Sequence, residues 1–305
     1  MSCTVNPIAG RELDRGDRPR TAAPQRWTVV GGGPAGMRAA IELASDGHAV
    51  TLVEAAEELG GQLRLARRVP GRESVGLLVD DLVRDLAAAG VDVRLGARAT
   101  ADDLRREAAD GIVVATGAVA PQTTSLALGG AYDVGFPAGS TVDAFTAASD
   151  PARLGGRIAV VDDDGTAYAA GVVLTLLAHV DALDLVTPFE SVFPHIGAGY
   201  DRPLLLERLG AHPGFGRRTS HAVAAVRTHA VDVRDALTGA TATLEGLDAV
   251  VAIEPRASVA IEGIEDAAPR VITIGDAYAP RTIDAAIFEA VELAYDVAGL
   301  AVLRG

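Results

Sequence analysis

Lysine is absent from this chain, and every one of its 27 basic side chains is arginine. Against 41 acidic residues they leave a formal net charge of -14, which argues against nucleic acids and anionic membranes as partners. Cysteine is nearly absent as well. With Cys3 alone, the chain has no internal disulfide, no C-x-x-C redox pair and no complete thiolate metal site of its own. No apolar run approaches the ~18 residues of a membrane span, and no apolar signal region opens the sequence, so a cytoplasmic location is expected. The six histidines (His48, His179, His195, His212, His221 and His229) are scattered, with no i, i+4 pair and no H-E-x-x-H. They are expected to be surface or core residues and not metal ligands. No Ser-His-Asp arrangement stands out.

Apolar residues, 49% of the 305 and led by Ala, Gly and Val, suffice for two ordinary α/β domains with ample core. One stretch organises them. Residues 27–30 read as a buried strand that runs into Gly31-Gly32-Gly33-Pro34-Ala35-Gly36. Met37, Ala40, Ile41 and Ala44 then recur at helical spacing, residues 48–53 form a second buried strand, and Glu54 closes it. In this G-x-G-x-x-G turn Gly31 allows the tight bend, Gly33 lets a pyrophosphate approach the backbone, and Gly36 lets the helix pack closely. Pro34 and Ala35 open the helix, whose N-terminus offers unpaired N–H groups and a positive dipole end to phosphate. Glu54 falls about 20 residues beyond the turn, where a carboxylate accepts bonds from adenosine ribose hydroxyls. A ligand with an ADP moiety is expected here.

Residues 1–25, polar and broken by Pro7, Pro19 and Pro24, read as an extended arm. Gly60-Gly61-Gln62 interrupts helical periodicity and brings backbone close to something. Residues 73–89 form an amphipathic helix, 91–95 a strand, 100–108 a short helix and 111–115 a strand ending in Thr116-Gly117. Residues 123–150 read as loop. A second strand–turn–helix–strand follows over 157–161, 168–179 and 183–187. Antiparallel strands are expected over 220–233 and 241–244, and a strand over 248–253. Residues 270–274 then run into Gly275-Asp276, followed by a long amphipathic helix over 282–300. The expected architecture is α/β, with two Rossmann-like dinucleotide-binding folds, the second inserted in the first. The domains are 26–121 with 255–305, and 122–254. Asp276 sits at the carboxyl end of a parallel strand, where ligands of such sheets bind.

Taken together, VVGGGPAGM at 29–37, Glu54, VVATGA at 113–118 and ITIGDA at 272–277 resemble the two-dinucleotide-binding-domain flavoproteins. The resemblance implies FAD in the first fold and NAD(P)H in the inserted one. It implies that Asp276 bonds the ribityl chain, that Thr116-Gly117 marks the crossing between domains, and that Gly61 and Gln62 contact the flavin and its pyrophosphate. CTVNP at 3–7, GGQLRLARRVPGRE at 60–73 and APRTIDAA at 279–286 are similar to one family within it. This is the 2,4-dienoyl-CoA reductase and trimethylamine dehydrogenase type, iron–sulfur flavoproteins of the old yellow enzyme group. Cys3 matches the final cluster ligand there. The chain shows no counterpart of that family's FMN barrel or of the other three ligands, so a cluster is expected only if shared with a partner.

What the resemblance implies is an FAD-dependent oxidoreductase subunit in a heteromeric complex. It relays electrons between FAD and either NAD(P)H or a partner FMN/iron–sulfur barrel subunit of a reductase or amine demethylase. The alternatives are a non-redox subunit holding ADP or FAD structurally, and a stand-alone NAD(P)H oxidoreductase. No side chain is expected to be catalytic, since the flavin carries the redox chemistry. Nicotinamide binding is put in question by Asp162-Asp163-Asp164-Gly165, where the second fold places three carboxylates at the turn that faces a pyrophosphate.

Overall fold

The computed structural model describes residues 3–13, 18, 20–69, 71–119, 125–128, 132–135, 141–196 and 201–300. The chain divides into two compact units. The first comprises residues 1–67, 73–119 and 257–305, and the second residues 68–72 and 120–256.

The first unit opens with β1 (Arg26–Val30), α1 (Pro34–Ser45), β2 (Ala49–Val53), α2 (Leu63–Ala66) and α3 (Val75–Ala89). β3 (Asp92–Arg94), α4 (Ala101–Glu107), β4 (Gly111–Val114) and β5 (Ala118–Val119) follow. The second unit holds β6 (Ser125–Leu128), β7 (Tyr132–Gly135), β8 (Val142–Asp143), α5 (Ala144–Ser149), β9 (Arg157–Asp162), α6 (Ala167–Leu177) and β10 (Ala182–Val186). It continues through α7 (Asp201–Gly210), β11 (Phe215–Arg218), β12 (His221–Arg227), β13 (Ala230–Asp235), β14 (Thr241–Glu245) and β15 (Ala249–Ile253). β16 (Ala257–Ser258), β17 (Arg270–Thr273) and α8 (Ile283–Val297) return to the first unit.

In the first unit five parallel strands lie in the order β17-β4-β1-β2-β3. The central strands are apolar on both faces because both are covered, as parallel sheets require. Trp27 and Val29 of β1, Leu52 of β2 and Val113 of β4 pack with Met37 and Leu43 of α1, Leu82 and Leu86 of α3, and Ile287 of α8. Val30, Ile112 and Val114 form a second cluster with Leu104 of α4 and Ile264. Each fully buried side chain of this size contributes about 1.5–3 kcal/mol relative to exposure. α4 starts on a capping box, in which Thr100 and Asp103 each accept the other's backbone N–H.

The second unit repeats the theme with the parallel order β11-β10-β9-β15-β8. An antiparallel β12-β13-β14 sheet packs its Val223, Val226, Val231 and Val233 against Ala159, Val161 and Val186.

Several expectations are corrected. The N-terminal arm is not extended where it is described. It makes tight turns over residues 6–11, where the Ala9 N–H donates to Asn6 O and the Arg11 N–H to Ile8 O. Arg18 is fastened to Glu42 and Asp46 of the first unit with only 9% of its side chain exposed. Within residues 123–150 the β6–β7 hairpin, β8 and α5 replace the expected loop. These elements are too short for a hydrophobic period to reveal, and α5 depends on Asp143 accepting from the Thr146 N–H at its start. Residues 220–233 are not one strand, because His229 at φ +60° breaks them into β12 and β13. β11, polar and arginine-rich, had no sequence signal. Residues 68–72, read as part of the first domain, cluster with the second unit. The boundary expected at 121–122 lies outside the described residues, as do parts of the arm at 1–2, 14–17 and 19.

Candidate functional site

Strand register brings the expected site residues to one edge of the first sheet. Val30 pairs with Val53 and Val114, and Val114 with Thr273. The segments that follow those residues therefore leave the sheet side by side: Gly31–Gly36, Glu54, Thr116-Gly117 and Gly275-Asp276. This is the carboxyl end of the parallel strands, where ligands of open α/β sheets bind.

Gly31 takes φ +112° and packs so tightly on the Ala115 carbonyl that no side chain fits. Its N–H donates to Val53 O at 2.8 Å. A Cβ on Gly36 would strike the Gly31 carbonyl, so α1 sits on the turn with no room to spare. Gly33 is different, since a Cβ there meets no atom within 4 Å. Gly33 is also the N-cap of α1 and supplies no capping side chain, while Pro34 at the next position carries no N–H. The first-turn N–H groups of Ala35 and Gly36 are thus left for an anion.

Two segments wall this space. The Gly60 N–H donates to Gly32 O at 2.8 Å, and a Cβ on Gly61 would stand 3.1 Å from the Gly33 Cα. Gln62 Nε2 donates to Ala118 O at 2.9 Å and lies 3.4 Å from Asp276 Oδ2. Asp276 Oδ1 accepts from the Arg281 N–H at 2.9 Å. Thr116 donates its hydroxyl to Val259 O, and Gly117 O accepts from the Val259 N–H at 3.0 Å, just where β5 pairs with β16. Glu54 already holds the loop: Oε2 accepts from the Gly32 N–H at 2.5 Å and Oε1 from the Ala56 N–H at 2.7 Å. Each oxygen keeps a further lone pair for a ribose hydroxyl. The first turn therefore fits a dinucleotide pyrophosphate.

The turn of the second unit does not. Asp162 is wholly buried, and its Oδ1 accepts from the N–H groups of Asp164 at 3.0 Å and Gly165 at 2.9 Å. Its Oδ2 is buried with no hydrogen-bond partner among the described residues. The Thr166 N–H donates to Asp164 Oδ2 at 3.2 Å, and Thr166 Oγ1 accepts from the Tyr168 N–H at 3.2 Å. A Cβ on Gly165 would meet Phe189 Cε2 at 2.7 Å and His195 Cδ2 at 3.0 Å. Burial pushes the Asp162 carboxyl up to about 7, against the pull of its two N–H bonds. Burial also pushes Asp163 up to about 6 and Glu254 up to about 7.

Sequence reasoning missed Glu289, whose Oε2 accepts from the Gly275 N–H at 2.7 Å while Oε1 pairs with Arg281. Its sequence signal was weak, since Glu289 is one of four acids on α8, with Asp284, Glu292 and Asp296. Phe189 and His195 were also missed, and nothing in their spacing announced them. Cys3 is partly exposed, and its Sγ accepts from the Asn6 N–H at 3.4 Å. Among the described residues no group of His, Cys, Asp and Glu is arranged to hold a metal, and no helix is long and apolar enough to cross a membrane.

Residues 25–161 match the family model described as pyridine nucleotide-disulphide oxidoreductase. The chain is 43% identical over 117 residues to an NADH oxidase of Thermoanaerobacter brockii, covering 38% of this chain and 18% of that protein. It is 39% identical over 117 residues to a multifunctional alkene reductase/demethylase OYE of Caballeronia cordobensis, covering 38% and 17%. The solved structure of histamine dehydrogenase from Rhizobium sp. 4-9 superposes with a TM-score of 0.81 at 25% identity, covering 97% of this chain and 48% of that one. The chain thus spans less than a fifth of the length of these two curated relatives and about half that of the solved one.

Proposed function

We propose that the chain is a flavoprotein oxidoreductase of the 2,4-dienoyl-CoA reductase and trimethylamine dehydrogenase type, whose first unit binds FAD and relays electrons between that flavin and a second redox carrier. In this reading the carrier is NAD(P)H or a partner subunit holding an FMN and iron–sulfur barrel. The observation that carries the flavin assignment is the open space over Gly33, walled by the Gly61-Gln62 turn, with Asp276 and Thr116-Gly117 at the same sheet edge.

A bound FAD supplies the electron-transfer chemistry. The protein supplies placement. Ala35 and Gly36 N–H groups at the start of α1 hold the pyrophosphate, and the absence of a side chain on Gly33 lets it come close. Glu54 takes a ribose hydroxyl on its remaining lone pairs. Gln62 and Asp276, bridged to each other, hold the polar chain between pyrophosphate and ring. Glu289 sets the backbone of Gly275 and, with Arg281, the direction in which Asp276 faces.

The test is a visible spectrum of the purified protein followed by titration with FAD. Flavin bands that rise to a stoichiometric end-point are expected. A colourless protein that takes up no FAD overturns the assignment.

A further inference from the structure

We infer that the second unit holds no nicotinamide dinucleotide, because its own side chains occupy the turn where a pyrophosphate would bind. The assignment rests on contrasting the two turns, each lying between a parallel strand and the helix that follows.

In the first, the N-cap Gly33 offers no side chain, and space stands open above it. In the second, four of the N–H donors are already spent. The N–H groups of Asp164 and Gly165 both go to Asp162 Oδ1, that of Thr166 goes to Asp164 Oδ2, and that of Tyr168 goes to Thr166 Oγ1. A buried carboxylate thus sits on two N–H groups of the turn, and the Thr166 hydroxyl on that of Tyr168, the second residue of the helix. The second turn also lacks room. Gly165, the one residue there without a side chain, faces Phe189 Cε2 and His195 Cδ2 instead of open space. Those two rings brace each other edge-on at 5.0 Å, and the His195 N–H donates to Gly165 O at 3.0 Å, which fixes the cover in place.

Charge adds a third barrier. Asp162, Asp163, Asp164 and Glu254 stand around the turn, with Arg256 near by over the Tyr168 ring at 5.3 Å. For a dinucleotide to enter, Asp162 must give up two hydrogen bonds while still buried, Phe189 must move, and a doubly charged pyrophosphate must approach carboxylates. The strand–turn–helix fold survives here as architecture, with its ligand replaced from within.

For electron flow, the consequence rests on the flavin reading above: the electrons that FAD exchanges do not pass through a nicotinamide held by the second unit. The experiment separates the two ideas. Protein loaded with FAD is titrated calorimetrically with NADH and with NADPH, and amide hydrogen exchange of residues 162–168 is followed in the same mixtures. No saturable binding tighter than about 1 mM and unchanged exchange at 162–168 are expected. Dithionite, in contrast, should bleach the flavin. Saturable binding without release of FAD, or protection of 162–168 by either nucleotide, overturns the inference. If the protein takes up no FAD, the flavin reading fails by itself, and the exchange measurement on that protein still decides this one in the same way.

Discussion

Gln62 Nε2 lies 3.4 Å from Asp276 Oδ2, joining residues 214 positions apart in the chain. The same amide nitrogen donates to Ala118 O, so three separate segments meet at one side chain beside the open turn. Alanine at either residue removes the bridge to the other and, on the proposed FAD reading, a polar contact to the flavin nucleotide. We expect each single variant to weaken FAD binding by about 10–100-fold. The double variant should lose less than the product of the two, a coupling of at least about 0.5 kcal/mol. Flavin-fluorescence titration reads all three, and strictly additive losses would show that the bridge has no role.

Gly33→Ala and Gly36→Ala separate binding from folding. Gly33 has an extended backbone with φ −75°, and its Cβ would meet nothing. The fold should stand, with an unchanged melting temperature, while FAD affinity falls by about 100-fold or more as the methyl blocks the pyrophosphate. Gly36→Ala drives a methyl into the Gly31 carbonyl and should cost about 2–4 kcal/mol of stability in urea unfolding. Equal stability losses for the two variants would contradict the assigned geometry.

Asp162 makes stability depend on pH in a stated direction. Its folded carboxyl is pushed up to about 7 by burial, from an ordinary 3.8. Between those values the folded chain keeps a proton that the unfolded chain has released. Stability from this group is therefore fully present below about pH 4 and declines as pH rises through 7. Asp162→Asn keeps an oxygen for the Asp164 and Gly165 N–H groups and never ionises. Its gain over the parent should be small at pH 5 and reach about 1–3 kcal/mol at pH 8. Urea unfolding across that range is the measurement, and a pH-independent difference would refute the account.

Arg18 is the latch of the N-terminal arm. With 9% of its side chain exposed, it pairs with Glu42 and with Asp46 at 2.8 Å, and stacks over Tyr295 at 4.8 Å. Burial opposes its charge, yet Asp46 and Glu42 hold the guanidinium well above its ordinary value. Arg18→Ala leaves two carboxylates in a poorly solvated place and should cost about 3 kcal/mol. Arg38, 2.5 Å from Glu42, limits the loss on that side only. Thermal unfolding reports the effect, and a change within about 0.5 kcal/mol would mean that the arm does not hold the first unit together.

How much was legible in advance follows from what kind of signal each part leaves. The G-x-G-x-x-G turn, Glu54 and the strands around them are local: three glycines and an acid at fixed spacing specify the turn by steric exclusion and bring the Glu54 carboxylate to it by chain reach. The Gly275-Asp276 end of β17 was legible for the same reason, since a parallel strand running into a glycine and an acid marks a ligand edge wherever the strand lies. The three carboxylates at 162–164 were legible as charge. What the charge pattern does not reveal is that Asp162 turns inward and accepts from the Asp164 and Gly165 N–H groups.

The amino-acid sequence by itself determined the α/β class, the two parallel units and the position of the first nucleotide turn, because hydrophobic period and glycine spacing act over a few residues at a time. Tertiary structure alone decided the Gln62–Asp276 bridge, the hold of Glu289 on Gly275, and the cover of Phe189 and His195 over Gly165. Each joins side chains far apart in the chain, and hydrogen bonds and van der Waals contacts of 3–4 Å exist only once folding has brought their atoms together. The open turn and the filled one differ at both levels: Asp162, Asp164 and Thr166 take N–H groups of the second turn from within its own sequence, and Phe189 and His195 reach it from farther along the chain.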